Sequence, residues 1–314
     1  LGHPLEKIDP VATRRELADV VANDPSWRSD LPVAVFLEAL DAPGYADAAT
    51  FQPVFARIDG SLVTTGIRLG WVHDAGGNHA VPLSEGSLSY RRVAFAQPGT
   101  VVVVELVTGS VKSYPVPSQT IERVRWAGSA VIASGDNGAW QIDTSASAPT
   151  AEKLPAGYTG AKNVIEVNQS GSASVTTWEL GGLKRTTAAV TAPVFQPYGQ
   201  TFSSNLMAAS AVFLSGGLNA GDGEPLDQGI LSVPLSDPST RRLLVMGESP
   251  ARNKGCCQVV GFSQQGTPLY TTATAAGVWL LQWNPETGFV SRVLLLEDNP
   301  AIPPVLSIGV NITS

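Results

Sequence analysis

The sequence predicts an all-β chain made by repeating one four-stranded unit, and three observations carry that prediction. Period-2 alternation dominates from residue 52 onward, in runs such as VVVVELVTG, RVRWAGSAVIAS, PLYTTATAAGVWLLQW and SRVLLLE, each closed by Gly, Pro, Asn, Asp or Ser. Charged residues make up only 15% of the 314 positions while Gly and Pro hold 31 and 23, a mix that suits many short strands joined by tight turns. A strand end, a turn of the D-x-x-T-G kind and a second strand recur at Trp71, Val104, Trp140, Trp178, Ser232 and Trp283, at spacings of 33 to 54 residues that average about 42.

Four short strands per repeat at that period predict the blades of a β-propeller. One blade has two apolar faces and cannot bury both alone, so neighbouring blades supply the cover. A sandwich rarely holds so many strands, and solenoid repeats are shorter. The expectation is a single propeller domain over 1–314, with repeated blades over 51–296. Trp71, Trp126, Trp140, Trp178 and Trp279 recur in similar strand contexts and are assigned to packing between blades.

The two ends are read separately. Residues 1–50 diverge from the repeat, and LEKIDPVATRRELADVVANDP carries helix-start chemistry, with Asp9 as an N-cap and Pro10 at the first helical position. The same segment also reads as an outer hairpin, because DPVATRRELADVV echoes DPSTRRLLVM at 237–246. At the other end, 297–314, PPVLSIGVNI reads as a lone inner strand. If the ends complete one blade between them, the ring closes and two exposed strand edges disappear. That arrangement gives seven blades; a helical preface over 1–50 gives six.

The pattern of strand, G-x-W, D-P-x-T-G turn and strand resembles the divergent bacterial propellers, of actinobacterial type, that are akin to tryptophan-aspartate repeats and TolB-like repeats. The resemblance covers roughly 50 to 300 and rests on turn chemistry. It implies an extracytoplasmic protein, and it brings no fixed catalytic residues, so none is assigned.

Net charge is −7, from 20 Lys and Arg against 27 Asp and Glu, with no basic run to track a phosphate backbone. Nucleic acid is therefore not expected as a partner. No apolar run reaches the roughly 18 to 20 residues that span a bilayer. The start at Leu1 leaves room for a signal peptide or a membrane tether upstream, and the expected localisation is a secreted or membrane-anchored ectodomain. Oligomeric state is not legible.

The only two cysteines, Cys256 and Cys257, are adjacent in RNKGCCQVVG. In a regular strand their side chains point to opposite faces and stay apart. A bond between them needs a strained turn, since adjacent Cα atoms are about 3.8 Å apart and disulfides usually span about 4.4 to 6.8 Å. A redox enzyme would want C-x-x-C, which is absent. Two inert strand residues and a disulfide that floors a ligand site both remain open.

Other candidates are weaker. In WVHDAGGNHAVPL, a two-residue turn at Gly76 and Gly77 would pair Asp74 with His79 and send His73 to the other face, so no metal site and no cofactor are expected. SGDNGAW at 134–140 approaches the Asp-box of sialidase-like propellers but is one residue short and reads as a hairpin. The loop at 215–229 holds Asp222, Glu224 and Asp227 without EF-hand spacing; as the longest insertion in a repeat it belongs on the binding face. Trp27, outside the repeat, either pins the N-terminal segment to the ring or sits at a partner surface.

These readings favour a noncatalytic propeller that presents a loop-rich face, with Cys256, Cys257, Trp27, Asp222, Glu224 and Asp227 as its candidate residues, to a protein or glycan. The alternative is a glycosidase-like hydrolase or lyase with a central pocket.

Overall fold

A computed structural model gives the architecture of the chain. It describes residues 6–127, 129–155, 163–167, 173–179, 182–188, 194–202, 206–213, 226–234, 236–237, 240–249, 257–263 and 265–309. Side chains are described for these except at 6, 7, 163–202, 211–213, 226, 227 and 246–249.

The protein is an all-β propeller, and five blades make it up. Counting strands outward from the axis, blade 1 consists of Ser307–Ile308, Ala34–Ala39, Thr50–Ala56 and Leu62–Thr64. Blade 2 has Arg92–Gln97, Thr100–Glu105 and Ser110–Pro115. Blade 3 has Arg123–Ala127, Ala130–Gly135, Gly138–Asp143 and Ala151–Lys153. Blade 4 has Val194–Phe202, Leu206–Phe213, Leu226–Pro234 and Arg242–Ser249, and blade 5 has Gln258–Phe262, Pro268–Thr274, Gly277–Trp283 and Val290–Glu297. A further three-stranded sheet, Asn163–Val167, Ala173–Glu179 and Gly182–Ala188, lies between blades 3 and 4 in the chain, and its side chains are outside the described set.

The expected seven blades, or six, are thus corrected to five. One cause is clear in the repeat at Trp71, which was counted as a blade: Val72–His73 and His79–Ala80 form a separate two-stranded ribbon inserted between blades 1 and 2. Turn chemistry alone does not distinguish such a ribbon from the outer half of a blade.

Strand alternation builds the ring. Val35 and Leu37 point toward blade 2, where they pack with Val93, Phe95 and Val104. Ala34 and Phe36, on the other face of the same strand, pack with Leu269, Leu280 and Leu294 of blade 5. Ala94 and Ala96 carry the pattern from blade 2 to Val124, Val131 and Trp140 of blade 3. Blades 1 and 2 are each thereby a filling between two apolar seams, which is the physical requirement behind circular repetition.

The ends do close one blade. Ser307 and Ile308 pair antiparallel with Val35 and Ala34, placing the C-terminal strand innermost in blade 1. The N-terminal segment is not the expected hairpin. Instead Arg14–Glu16 adds parallel to the outer edge of blade 1, at Leu62–Thr64, and Glu6–Ile8 adds parallel to the outer edge of blade 5, at Leu294–Leu296. Two strand edges that would otherwise be open are covered. The one α-helix among the described residues, Leu17–Asn23, follows with Glu16 at its N-cap. Asp9 is not its cap. The Asp9 carboxylate accepts from the Val11 amide at 2.9 Å, in a turn before the strand, as Asp commonly does.

Trp27 pins this segment down. It is fully buried, its Nε1–H donates to the Leu106 carbonyl at 2.7 Å, and the Arg57 guanidinium stands 5.8 Å from its ring centre. Arg57 is itself buried and donates to the Asp30 carbonyl and the Ser26 hydroxyl. Of the two roles for Trp27, the anchor is the one observed, and the partner-surface role is corrected.

Candidate functional site

An antiparallel four-stranded blade has a fixed polarity: its first strand begins where its second ends, its third begins and its fourth ends. All connections between blades, and all turns between second and third strands, therefore open on one end of the ring. Blade 4 gives its second and third strands the longest such connection, residues 214–225, and the chain enters blade 5 through 250–257. Asp222, Glu224 and Cys256 fall in these connections and lie outside the described residues. Asp227 is the second residue of the third strand of blade 4, with its backbone opposite Phe213 and Glu248; its side chain is outside the described set.

Cys257 is described. It is buried and disulfide-bonded, and no described cysteine is free. The reading of Cys257 as an inert thiol is therefore corrected. Cys257 packs with Val259, Tyr270, Trp283 and Ile230, at the seam between blades 4 and 5.

The same end of the ring carries a cleft of about 210 Å³ between blades 5 and 1. Its walls are Tyr45, from the connection between the second and third strands of blade 1, and Thr274, Glu297, Asp298 and Asn299. Backbone bonds hold it: the Tyr45 amide donates to the Pro300 carbonyl at 2.8 Å, and the Asp298 amide to the Ala276 carbonyl at 3.2 Å. Gly277, at φ +125°, sits where a Cβ would stand 2.0 Å from the Leu296 carbonyl oxygen, so this wall admits only glycine.

A third feature is the ribbon at Trp71, and here sequence reasoning failed by one residue of register. The turn holds three residues, not two. Asp74 and Asn78 pair across it, with Gly77 in the left-handed region at φ +81°, so His73 lies directly opposite His79. Three-residue hairpin loops place glycine at that position. The two imidazole centres are 5.4 Å apart, and the His79 ring is 5.9 Å from that of Trp71. The expected divergence of the histidines is therefore corrected, because an odd-length turn shifts the pairing and moves every side chain to the other face.

Carboxylates surround the ribbon. Asp136, in SGDNGAW, accepts from the Ala75 amide at 2.6 Å, which ties blade 3's second turn to the ribbon. The bonds that Asn78 gives Asp74 hold the Asp74 carboxyl below its usual range. Glu122 is pushed up, first by burial and then by the charges of Asp136 and Asp74.

Closest to the axis is Glu85, which no motif singled out. Residues 82–88 supply the innermost strand position of blade 2 as an irregular segment: the Ser87 and Pro82 carbonyls accept from the Ala94 and Ala96 amides. The buried Ser307 hydroxyl donates to the Glu85 carbonyl at 2.9 Å and accepts from the Leu88 amide at 2.8 Å. On the other side, the Trp126 amide and Nε1–H donate to the Gly86 and Ser87 carbonyls. Burial pushes the Glu85 carboxyl above its usual range, opposed by the charge of Arg123. The signal was weak because the segment has no alternation to mark it as an inner strand.

No family model matches this sequence, and no curated protein does. Among solved structures, the chain is similar to the tricorn protease, at 13% identity and TM-score 0.36, over 74% of this chain and 26% of that one. It is similar to puromycin hydrolase at 12% identity and TM-score 0.38, over 68% and 39% of the two chains. A chain of a nidogen/laminin complex aligns at 9% identity and TM-score 0.42, over 84% and 97%. The chain thus spans well under half of both hydrolase chains, and at these scores the likenesses carry no argument. The assignment to the propellers rests on strand order and pairing.

Proposed function

We propose that the protein is a noncatalytic binding propeller whose loop-bearing end receives a protein or glycan. The observation that supports this most is the convergence of unlike surface chemistry on one end of the ring: the cleft beside Tyr45 and Asp298, the histidine ribbon, the long connection at 214–225 and the disulfide at Cys257. The cleft, at about 210 Å³, is smaller than the roughly 300 to 1,000 Å³ of sites that engulf a small molecule. It suits a single protruding group of a larger partner. A disulfide favours an oxidising compartment, so we place the protein outside the cytoplasm, secreted or tethered. The binding-site residues in this reading include Cys256, Cys257, Asp222, Glu224 and Asp227 with the cleft.

A glycan array and a screen of immobilised extracytoplasmic proteins test the reading. Tyr45→Ala with Asp298→Asn should remove binding to any hit, while Phe289→Ser, in an exposed turn at the opposite end of the ring, should not. The reverse pattern would overturn it.

One observation favours the alternative of a hydrolase or lyase: Glu85, on the innermost segment of blade 2, has a carboxyl whose burial holds its proton toward higher pH, the type of group that serves as a general acid. Turnover of a glycoside or ester that disappears in Glu85→Gln, with the fold intact, would establish it over the binding reading.

A further inference from the structure

The binding reading uses the ribbon only as part of a surface, and the register of its two histidines gives it a chemistry of its own. His73 and His79 are cross-strand partners with ring centres 5.4 Å apart. Two imidazoles bound to one ion through bonds of about 2.1 Å place their ring centres about 5 Å apart. The observed separation fits that arrangement without moving the backbone. The His73 Nδ1 atom is buried and has no hydrogen-bond partner. Its ring lies only partly exposed while His79 is open to solvent, so an ion held between them keeps free positions facing water. A buried ring nitrogen with nothing to bond is costly unless something unseen satisfies it.

The electrostatics point the same way. The ribbon's turn is flanked by Asp74 and Asp136, and Glu122 lies close enough to feel both charges. Three carboxylates around the two imidazoles make the site attractive to a cation before any bond forms. Asp74 and Asp136 are each engaged by a turn amide. Among the described residues, no group of three or more His, Cys, Asp or Glu side chains is placed to hold an ion.

We propose that His73 and His79 form a two-imidazole site for a divalent transition-metal ion, with water or a ligand from outside the chain completing its coordination. Nitrogen donors select copper, nickel and zinc over magnesium or calcium, and the divalent series orders copper above nickel and zinc. The open positions make this an exchangeable site, unlike the closed four-ligand sites that hold folds together.

The test uses the full chain without a polyhistidine tag, titrated with Cu²⁺, Ni²⁺, Zn²⁺ and Mg²⁺ by calorimetry. One equivalent of Cu²⁺, Ni²⁺ or Zn²⁺ should bind, copper tightest, with no heat from Mg²⁺. His79→Ala and His73→Gln should each weaken binding by at least about tenfold, and His3→Ala should change nothing. Copper should also quench part of the tryptophan emission, because Trp71 stands 5.9 Å from His79, and His79→Ala should remove that quenching. His79 is exposed, so its replacement leaves folding intact and a null result has one meaning. Binding that survives both ribbon variants, binding that is lost in His3→Ala, or no binding at millimolar metal would each overturn the proposal.

Discussion

The seam between blades 5 and 1 and the seam between blades 4 and 5 solve the same problem with different chemistry. The first is built on a continuous apolar cluster: Phe36, Val54, Leu62, Leu280, Leu294, Leu296 and Ile308 interlock across it, and Ile8 covers its rim. The second mixes Ile230, Val259, Tyr270 and Trp283 with polar groups. Gln228 and Ser232 alternate with Ile230 along one strand and so face the same seam. Gln228 Nε2, Ser232 Oγ and the Tyr270 hydroxyl are all buried without a hydrogen-bond partner. Ser210 alone is matched, accepting from the Val259 amide at 3.2 Å. A ring can close on apolar packing and still hold one seam whose polar groups are under-satisfied, and that seam is where Cys257 sits. The contrast teaches that closure and ligand chemistry are separable around a propeller.

The comparison breaks most visibly if the closing strand is removed. Ending the chain after Val305 deletes Leu306, Ser307 and Ile308, all buried, and with them the bonds that Ser307 makes to Glu85 and Leu88. Loss of at least about 4 kcal/mol is expected, read as a broad transition at lower temperature in thermal unfolding. An unchanged melting curve would mean that the seam between blades 5 and 1 does not depend on chain closure.

Phe36→Ala, at the centre of the apolar seam, is next. With the side chain fully buried, the cavity should cost about 3 to 5 kcal/mol, seen as a shift of the denaturant midpoint. Glu85→Gln should move stability the other way at neutral pH. The sign follows from the raised carboxyl: the folded state holds the proton more tightly than the unfolded chain, so stability falls as pH rises from the ordinary carboxylate range through the raised value. The variant should lose that slope while keeping the wild-type midpoint at acid pH.

The legible part of this molecule was what periodicity governs. Alternation in VVVVELVTG and PLYTTATAAGVWLLQW marked strands whose two faces enter two seams, and the isolated PPVLSIGVNI marked the closing strand. What was hidden depended on register or on absence of pattern. The ribbon at His73 and His79 turned on whether its loop held two residues or three, which GG alone does not decide. Residues 82–88 took a strand position without alternation, so Glu85 passed unnoticed. Trp27 read equally as an anchor or as a partner surface because turn residues flank it, and only the structure shows its indole reaching 79 positions along the chain to Leu106. The seam between blades 4 and 5 could not be read at all, because a Tyr, a Gln and a Ser in strands are ordinary residues until their partners are known to be missing.

That last point yields the smallest effect and the sharpest one. Tyr270→Phe removes a hydroxyl with no partner and leaves the ring in place. At an ordinary seam, losing a buried tyrosine hydroxyl costs stability; here it should be neutral or stabilising by up to about 1 kcal/mol. The pH dependence separates this from chance. Burial pushes the Tyr270 hydroxyl up to about 12, so the folded state resists its ionisation. The stability tied to the neutral phenol is fully present below about pH 10 and is lost as pH rises through about 12. Wild-type and Tyr270→Phe proteins should therefore melt alike at pH 8 and part company above pH 10, the variant being the more stable. Parallel curves across that range would show that the hydroxyl reaches solvent, and a loss of more than about 1 kcal/mol in the variant at pH 8 would show that it is satisfied after all, the two seams then being chemically alike.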